Sequence, residues 1–258
     1  MAQMNLPEND DHEVNQLRWW SHWSELIWFS GQCYALLSRD FDEPLFNHSE
    51  FMDPKAYGND LLREIESKFR SEGIRPSFFL RESEEYRTVE GGLSANGYRA
   101  IDQLSVMEIA SPSFDGNAEI IPVIIGEGEV VRWCETYLLS FYGEKGLLGN
   151  VVGIAKKAIK DNLAKLILAM HEGVPVGTLA LYETENICGV YCVGTIPSYR
   201  KKGVASRMIK FAYELSRGKA KRLGLQTFLS DSLEGYYIDR GFKRMYLKDV
   251  FVKSYWFT

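Results

Sequence analysis

The stretch from Asn186 to Gly218 constrains the fold more than any other part of the sequence. It begins with an apolar strand, NICGVYCVGTI, which Pro197 ends, and continues through the basic loop SYRKKG into VASRMIKFAYELSRG. This last segment predicts a helix that ends at Gly218. Its apolar residues recur at helical spacing, at Val204, Met208, Phe211, Ala212 and Leu215. A strand, a tight loop and a helix with one apolar face predict a β-sheet covered by helices.

Three cations, Arg200, Lys201 and Lys202, directly precede Gly203 at the start of this helix. The first amides of a helix lack partners inside it, and the helix dipole adds positive charge there. A glycine lets the backbone close around a bulky anion, and the loop amides can form a concave nest. Residues 200–222 contain nine basic residues and one acidic residue. The loop therefore predicts a site for a phosphate-rich ligand, although a solvated helix face explains the same pattern without a ligand.

Strand and helix patterns alternate along the whole chain, which predicts a mixed α/β (α+β) fold. The segment 111–119 is rich in Ser, Pro, Gly and Asp and is the best candidate for a linker, so we expect two domains, 1–115 and 116–258. Four tryptophans within EVNQLRWWSHWSELIWFSGQ predict one helix that ends near Gly31. Residues 97–109, GYRAIDQLSVMEI, resemble residues 241–253, GFKRMYLKDVFVK, which predicts a structural repeat with one such strand closing each half.

Composition argues against several classes of protein. A length of 258 residues suits one large or two small domains, and a net charge of −5 argues against a general nucleic-acid binder. No apolar run approaches the ~18–20 residues that span a membrane, and the polar, acidic N-terminus does not resemble a secretory signal. The four cysteines and four histidines lack the paired spacing of a metal site, so we expect reduced thiols, no metal and a cytoplasmic protein.

The second half contains two motifs, VGTIPSYRKKGVAS at residues 193–206 and YYIDRGF at residues 236–242. They resemble the Arg/Gln-x-x-Gly-x-Gly/Ala loop and the Leu-Tyr-x-x-x-Gly-Phe segment of the GNAT superfamily of N-acetyltransferases. The resemblance covers roughly residues 120–258. It implies a GNAT-like mixed sheet that is flanked by helices and splayed beyond the strand carrying the loop, with acetyl-CoA bound in the splay.

The same resemblance implies candidate site residues. The loop amides that bind the CoA pyrophosphate fall on Lys201, Lys202, Gly203, Val204, Ala205 and Ser206, with Arg200 opening the motif. Strand groups that hydrogen-bond the pantetheine arm fall near Val193 and Thr195, and Ser230 stands where many members have an asparagine. Tyr237 takes the place of the tyrosine that often protonates the departing thiolate. Glu183 and Glu185, near the motif-bearing strand, are the candidates for a general base.

The implied activity is transfer of an acetyl group from acetyl-CoA to a primary amine of a small molecule or peptide. We expect a monomer or homodimer and no metal, nucleic acid or membrane. Residues 1–115 have DPKAYGNDLL where the loop motif would lie, so we expect a related fold that has lost CoA binding. The tryptophans and acidic residues of this half either form part of a pocket for a cationic amine or serve only as packing and solvated surface. These acidic residues are Glu8, Asp10, Asp11, Asp40, Asp42 and Glu43.

Two other functions compete with this interpretation. The first is a non-catalytic GNAT-fold module that binds CoA or a protein partner, which the intact loop and Tyr237 argue against. The second is nucleic-acid binding by residues 200–222, which the net acidity of the chain disfavours.

Overall fold

The computed structural model describes residues 10–109, 112, 114–219 and 221–255. Part of the candidate linker and Glu8 lie outside the described residues. The helices within this part of the chain are α1 (Asp11–Trp20), α2 (Asn59–Ser71), α3 (Arg87–Ala95), α4 (Val130–Phe141), α5 (Leu148–Lys160), α6 (Val204–Arg217) and α7 (Glu234–Ile238). The strands are β1 (Glu25–Phe29), β2 (Cys33–Leu37), β3 (His48–Phe51), β4 (Ser77–Arg81), β5 (Tyr98–Ile109), β6 (Ile121–Ile124), β7 (Ala164–His171), β8 (Val174–Glu183), β9 (Ile187–Thr195), β10 (Arg222–Phe228) and β11 (Phe242–Lys253).

These strands form one mixed sheet with the order β1-β2-β3-β4-β11-β5-β10-β9-β8-β7-β6. Each half contains two antiparallel pairs followed by a parallel pair, β3 with β4 and β9 with β10. The helices α2 and α6 make the two parallel crossovers. The two halves therefore share one topology, to which the second half adds β6 at its edge.

The last strand of each half lies in the sheet of the other half. β5 pairs with β10, β11 pairs with β4, and the two strands pair with each other along their whole length, from Tyr98 opposite Lys253 to Ile109 opposite Phe242. The repeat predicted from residues 97–109 and 241–253 is confirmed, because the two segments form equivalent strands, but each strand pairs with the sheet of the other half and does not close its own. One hydrophobic core also crosses the predicted domain boundary, since Trp19 and Trp23 pack in the same cluster as Trp133 and Tyr137 of α4. The division into 1–115 and 116–258 stays a prediction.

The prediction of one helix as far as Gly31 is wrong. α1 ends at Trp20, and most of the apolar residues after it form β1, which pairs with β2 through a three-residue turn. Ser30 and Gly31 in that turn have φ values of 48° and 72°. Two left-handed residues give the tight turn that matches the twist of a hairpin, and this local geometry overrides the helical spacing of the tryptophans.

The sheet opens between β9 and β10, as the resemblance predicted. The two strands pair in parallel only from Ile187 to Val190, opposite Arg222 to Leu225, and then diverge. Beyond that point β9 contains a bulge, because the register with β8 skips one residue and Cys192 has a φ of 52°. The opening and the bulge leave backbone groups of β9 facing a gap in the sheet. In the part of the chain that the structure describes, no helix is long and apolar enough to cross a bilayer.

Candidate active site

A groove of about 320 Å³ lies between the end of β9, the start of α6 and the short helix α7. Its walls contain eight of the predicted cofactor residues, namely Val193, Thr195, Arg200, Lys201, Gly203, Val204, Ala205 and Ser206. Tyr199, Leu233, Tyr236, Tyr237 and Arg240 complete the lining. The fold therefore brings the loop, the bulged strand and Tyr237 together at one site.

The start of α6 is shaped to accept an anion. Gly203 precedes the helix with a φ of +79°, Lys201 has a φ of 62°, and among the described residues no side chain caps the first amides of the helix. A Cβ on Gly203 would lie 3.2 Å from Cβ of Asn117, so glycine suits this position by conformation and by space. Uncapped amides and the helix dipole leave positive potential at the groove.

The three loop cations have different roles in the structure. The guanidinium of Arg200 donates to the carbonyl oxygens of Ser140, at 2.9 Å, and of Thr195, at 3.3 Å, so this side chain fixes the loop on β9 and α4. Lys201 lines the groove. The amine of Lys202 lies 4.6 Å from the ring centre of Tyr199 and is not part of the groove lining. Of the three, Lys201 is placed best to meet a phosphate.

Arg240 is a cation of this groove that the sequence analysis missed. Its guanidinium stacks 3.3 Å from the ring centre of Tyr236, and its Nε donates to Oγ of Ser206 at 2.9 Å. Ser206 is in the first turn of α6, so Arg240 adds positive charge beside the uncapped amides. The available signal was the arginine directly before Gly241 in YYIDRGF.

Tyr237 is buried and lines both the groove and a second cavity. Its ring packs against Tyr236 and Phe242, with ring centres 5.3 Å and 5.6 Å apart. Burial, with smaller contributions from Tyr236 and Asp231, raises the pKa of Tyr237 above the ordinary tyrosine value. The phenol therefore stays protonated and can act as a hydrogen-bond or proton donor.

The second cavity, of about 200 Å³, occupies the opening between β9 and β10. It shares Val193, Leu233 and Tyr237 with the groove, so the two spaces adjoin at these residues. Aromatic residues supply much of its wall, namely Trp20, Phe46, Tyr137, Phe141, Tyr142, Tyr191 and Phe228. Two acidic residues, Glu43 and Asp231, also line it, whereas its lining has no lysine, arginine or histidine among the described residues.

Glu183 is poorly placed to act as a general base. Although burial opposes its ionisation, hydrogen bonds from Lys219 and Lys221 lower the pKa of Glu183 to about 2. Glu183 pairs with Cys188 on β9. Cys188 is five residues before Val193, a separation of about 16 Å along the strand at the usual rise per residue. Glu185 is in the turn at the same end of the strands, and neither residue lines the groove or the cavity.

Ser230 is not brought to the groove. Its Oγ donates to a carboxylate oxygen of Asp102 at 2.5 Å, and it belongs to the lining of neither space.

The basic surface of residues 200–222 is also weaker than its sequence indicates, because acidic residues from elsewhere in the chain pair with four of its cations. These ion pairs are Lys210 with Asp115, Lys219 and Lys221 with Glu183, and Arg222 with Asp11 and Glu108.

The first half has a counterpart of this site without its chemistry. A cavity of about 520 Å³ adjoins β3 and β4, but its wall contains Glu13 and Glu50, which bind the buried amine of Lys248. DPKAYGNDLL does connect β3 to α2, as predicted, and it offers one cation, Lys55. Leu93 stands four residues before Gly97, as Tyr237 stands four before Gly241. Among the described residues no group of three or more potential ligands can hold a metal.

Comparison with known proteins agrees with this architecture. Residues 130–242 match the model of the acetyltransferase (GNAT) family. A GCN5-related N-acetyltransferase from Kribbella flavida is 17% identical with a TM-score of 0.68, covering 95% of this chain and 96% of that one. Another from Sphaerobacter thermophilus, also 17% identical with a TM-score of 0.68, covers 86% and 76%.

A third similar structure is the GCN5-related glucosamine N-acetyltransferase region of a fungal multi-domain GH3 β-N-acetylglucosaminidase. It is 13% identical with a TM-score of 0.61, and the match covers 89% of this chain and 31% of that one. No curated protein sequence shows a significant match. Residues 130–242 are therefore a GNAT acetyltransferase domain, in a chain whose two halves both have the fold of GCN5-related N-acetyltransferases.

Proposed function

We propose that this protein transfers an acetyl group from acetyl-CoA to a primary amine of a small molecule or peptide. The observation that carries the proposal is the meeting of two spaces at Val193 and Tyr237. One is a groove beside an uncapped helix N-terminus, and the other is a cavity with acidic residues in its wall. Such an arrangement suits a donor with a pyrophosphate on one side and an amine on the other.

The groove fits acetyl-CoA by its own chemistry. The amides of Gly203, Val204, Ala205 and Ser206 would bind the pyrophosphate, with Lys201 and Arg240 contributing charge. The bulged segment of β9 near Val193 and Thr195 would hydrogen-bond the pantetheine arm. Acetyl-CoA supplies an activated thioester, which the amine attacks.

The chain would assist this reaction in two ways. A backbone N–H at the bulge of β9 would hydrogen-bond the thioester oxygen as negative charge develops there. The amine nitrogen would form a C–N bond to the carbonyl carbon, and the C–S bond would then break. Tyr237 would donate a proton to the departing sulfur of CoA. Because burial raises the pKa of Tyr237, this proton transfer has to accompany bond cleavage rather than precede it. The proton released by the amine leaves to a base or to water.

Binding of acetyl-CoA can be tested by thermal unfolding of the wild type and of Ala205→Glu. A carboxylate at Ala205 favours the N-terminus of α6 but occupies and repels the pyrophosphate position. The matched control is Val131→Glu, since Val131 is also the second residue of a helix and is exposed. Acetyl-CoA at 100 times Kd should stabilise the wild type by ~2.7 kcal/mol, which is about 5–11 °C.

The expected result is a shift in the wild type and in Val131→Glu and no shift in Ala205→Glu. No shift in any protein at millimolar acetyl-CoA would refute donor binding. A shift without acetylation of any amine would favour the non-catalytic module.

We also propose a cytoplasmic protein that works as a monomer or homodimer; the four cysteines, all free thiols, are compatible with that location.

A further inference from the structure

The cavity between β9 and β10 is an aromatic chamber with an acidic mouth. Trp20, Phe46, Tyr137 and Tyr191, all at most 7% exposed, form its interior. The carboxylates of Glu43 and Asp231 belong to exposed residues and stand at its opening. The wall offers few neutral polar side chains, chiefly Gln226 and Thr227. A ligand of this chamber therefore needs an apolar body.

Neither carboxylate at the mouth is neutralised by the protein. Glu43 accepts a hydrogen bond from the phenol of Tyr142 at 3.4 Å, and within the described residues no lysine, arginine or histidine pairs with Glu43 or Asp231. Two unpaired carboxylates beside aromatic faces favour an ammonium group, by direct attraction and by cation–π contact. They disfavour a carboxylate or phosphate on the same ligand.

The size of the chamber limits the ligand to a small molecule or a single side chain. An apolar cavity of ~150 Å³ binds benzene, so about 200 Å³ accommodates one ring with a short amine arm. Leu233 and Tyr237 lie two and six residues after Asp231 and form the junction with the groove. A ring in the interior would therefore leave its amine near Asp231 and the junction.

We infer that the acceptor is a hydrophobic primary amine, an arylalkylamine or a residue of that chemistry, whose ammonium group binds between Glu43 and Asp231. This inference rests on the proposed function. The first half of the chain supplies Trp20, Glu43 and Phe46 to the chamber, so this half, without a cofactor site of its own, shares in determining acceptor specificity. Of the acidic residues considered above, Asp10 and Asp11 instead pair with arginines.

Initial rates of acetylation with four acceptors test this inference. Phenethylamine and phenylalanine share a ring and an amine and differ by one carboxylate, while spermidine and glucosamine are amines without an apolar ring. We expect kcat/KM for phenethylamine to exceed that for each of the others by at least tenfold, a difference of about 1.4 kcal/mol. A higher value for glucosamine or spermidine, or equal values for phenethylamine and phenylalanine, would overturn the inference.

A charge-reversal pair locates the effect. Glu43→Lys places a cation at the mouth and should reduce the preference for phenethylamine over phenylalanine at least tenfold. Asp42→Lys makes the same charge change at the neighbouring exposed residue, which does not line the chamber, and should change the preference much less. Equal effects of the two variants would also overturn the inference.

The thermal shift with acetyl-CoA, measured on the same preparations, separates this inference from the proposed function. If acetyl-CoA binds and glucosamine is the better acceptor, acetyl transfer stands and the acceptor class is wrong. If acetyl-CoA binds and none of the four amines is acetylated, the acceptor class is again overturned. If acetyl-CoA does not bind, the proposed function fails as well.

Discussion

Replacement of Lys248 by methionine should destabilise the protein strongly. Lys248 is 1% exposed, and its amine donates to Glu13, to Glu50 at 2.7 Å and to Gln16 at 3.2 Å. Burial opposes the charge on Glu50, but Lys248 and His48 outweigh it and lower the pKa of Glu50 to about 2. Without the amine, the carboxylates of Glu13 and Glu50 would face each other with no lysine between them, and Tyr246 and His48 would remain as their partners.

The size of the effect follows from the burial of this cluster. Removing one partner of a buried ion pair costs ~3–5 kcal/mol, and each kcal/mol lowers Tm by about 2–4 °C at this chain length. We therefore expect a loss of ~6–20 °C at pH 7, measured by calorimetry or circular dichroism. Lys243→Met, at an exposed residue of the same strand, is the control and should change Tm little.

Two further results would identify the cause as uncompensated charge. Glu50→Gln in the Lys248→Met background should recover part of the lost stability. In the wild type, Glu50 with its lowered pKa stabilises the fold above its unfolded value of ~4.3 and loses this contribution as pH falls from there towards 2. A Tm loss for Lys248→Met no larger than that of Lys243→Met would refute the reasoning.

Four shorter predictions concern the site. Tyr237→Phe should lower kcat at least tenfold, since a general acid contributes ~10²–10⁴-fold; an unchanged kcat excludes Tyr237 from proton donation. Gly203→Ala should weaken acetyl-CoA binding about 5–30-fold in calorimetric titration, because a left-handed backbone costs other residues ~1–2 kcal/mol; an unchanged Kd contradicts the nest. Burial, followed by the charge of Asp102, raises the pKa of Asp231, and Asp231 also faces Tyr237. As the pH falls, activity should therefore begin to decrease at a pH above the ordinary titration range of an aspartate. Asp231→Asn should shift this acid limb of the pH profile, and an unchanged limb would contradict the role of Asp231. Glu183→Gln should leave the pH profile of kcat/KM unchanged, because Glu183 is ionised and lies far from the groove. Loss of the acid limb in this variant would indicate that Glu183 is the general base.

Much of this fold was predictable because its signals are local. The unit from β9 to α6 has an apolar strand, a proline, a left-handed glycine and an amphipathic helix in sequence, and each element is confirmed. The hairpin at Glu172 and Gly173 and the strand after Gly241 also follow from turn residues and alternation. The repeat of residues 97–109 in 241–253 indicated that the halves are related.

The exchange of β5 and β11 between the halves was not predictable, because strand pairing is a non-local choice that alternation does not encode. The same limit applies at the site. Glu183 looked available because the lysines that bind it, Lys219 and Lys221, come from the loop between α6 and β10. Asp231 and Glu43 meet at one chamber only because the sheet joins the two halves, so the sequence offered the acidic residues of the first half without their location.

A crystal structure of the protein with CoA and phenethylamine would test the central claim most directly. The account predicts the CoA pyrophosphate on the amides of Gly203 to Ser206, the sulfur beside Tyr237, and the amine between Glu43 and Asp231 with its ring in the chamber. CoA bound in the cavity of the first half, or an amine bound outside the chamber, would contradict it.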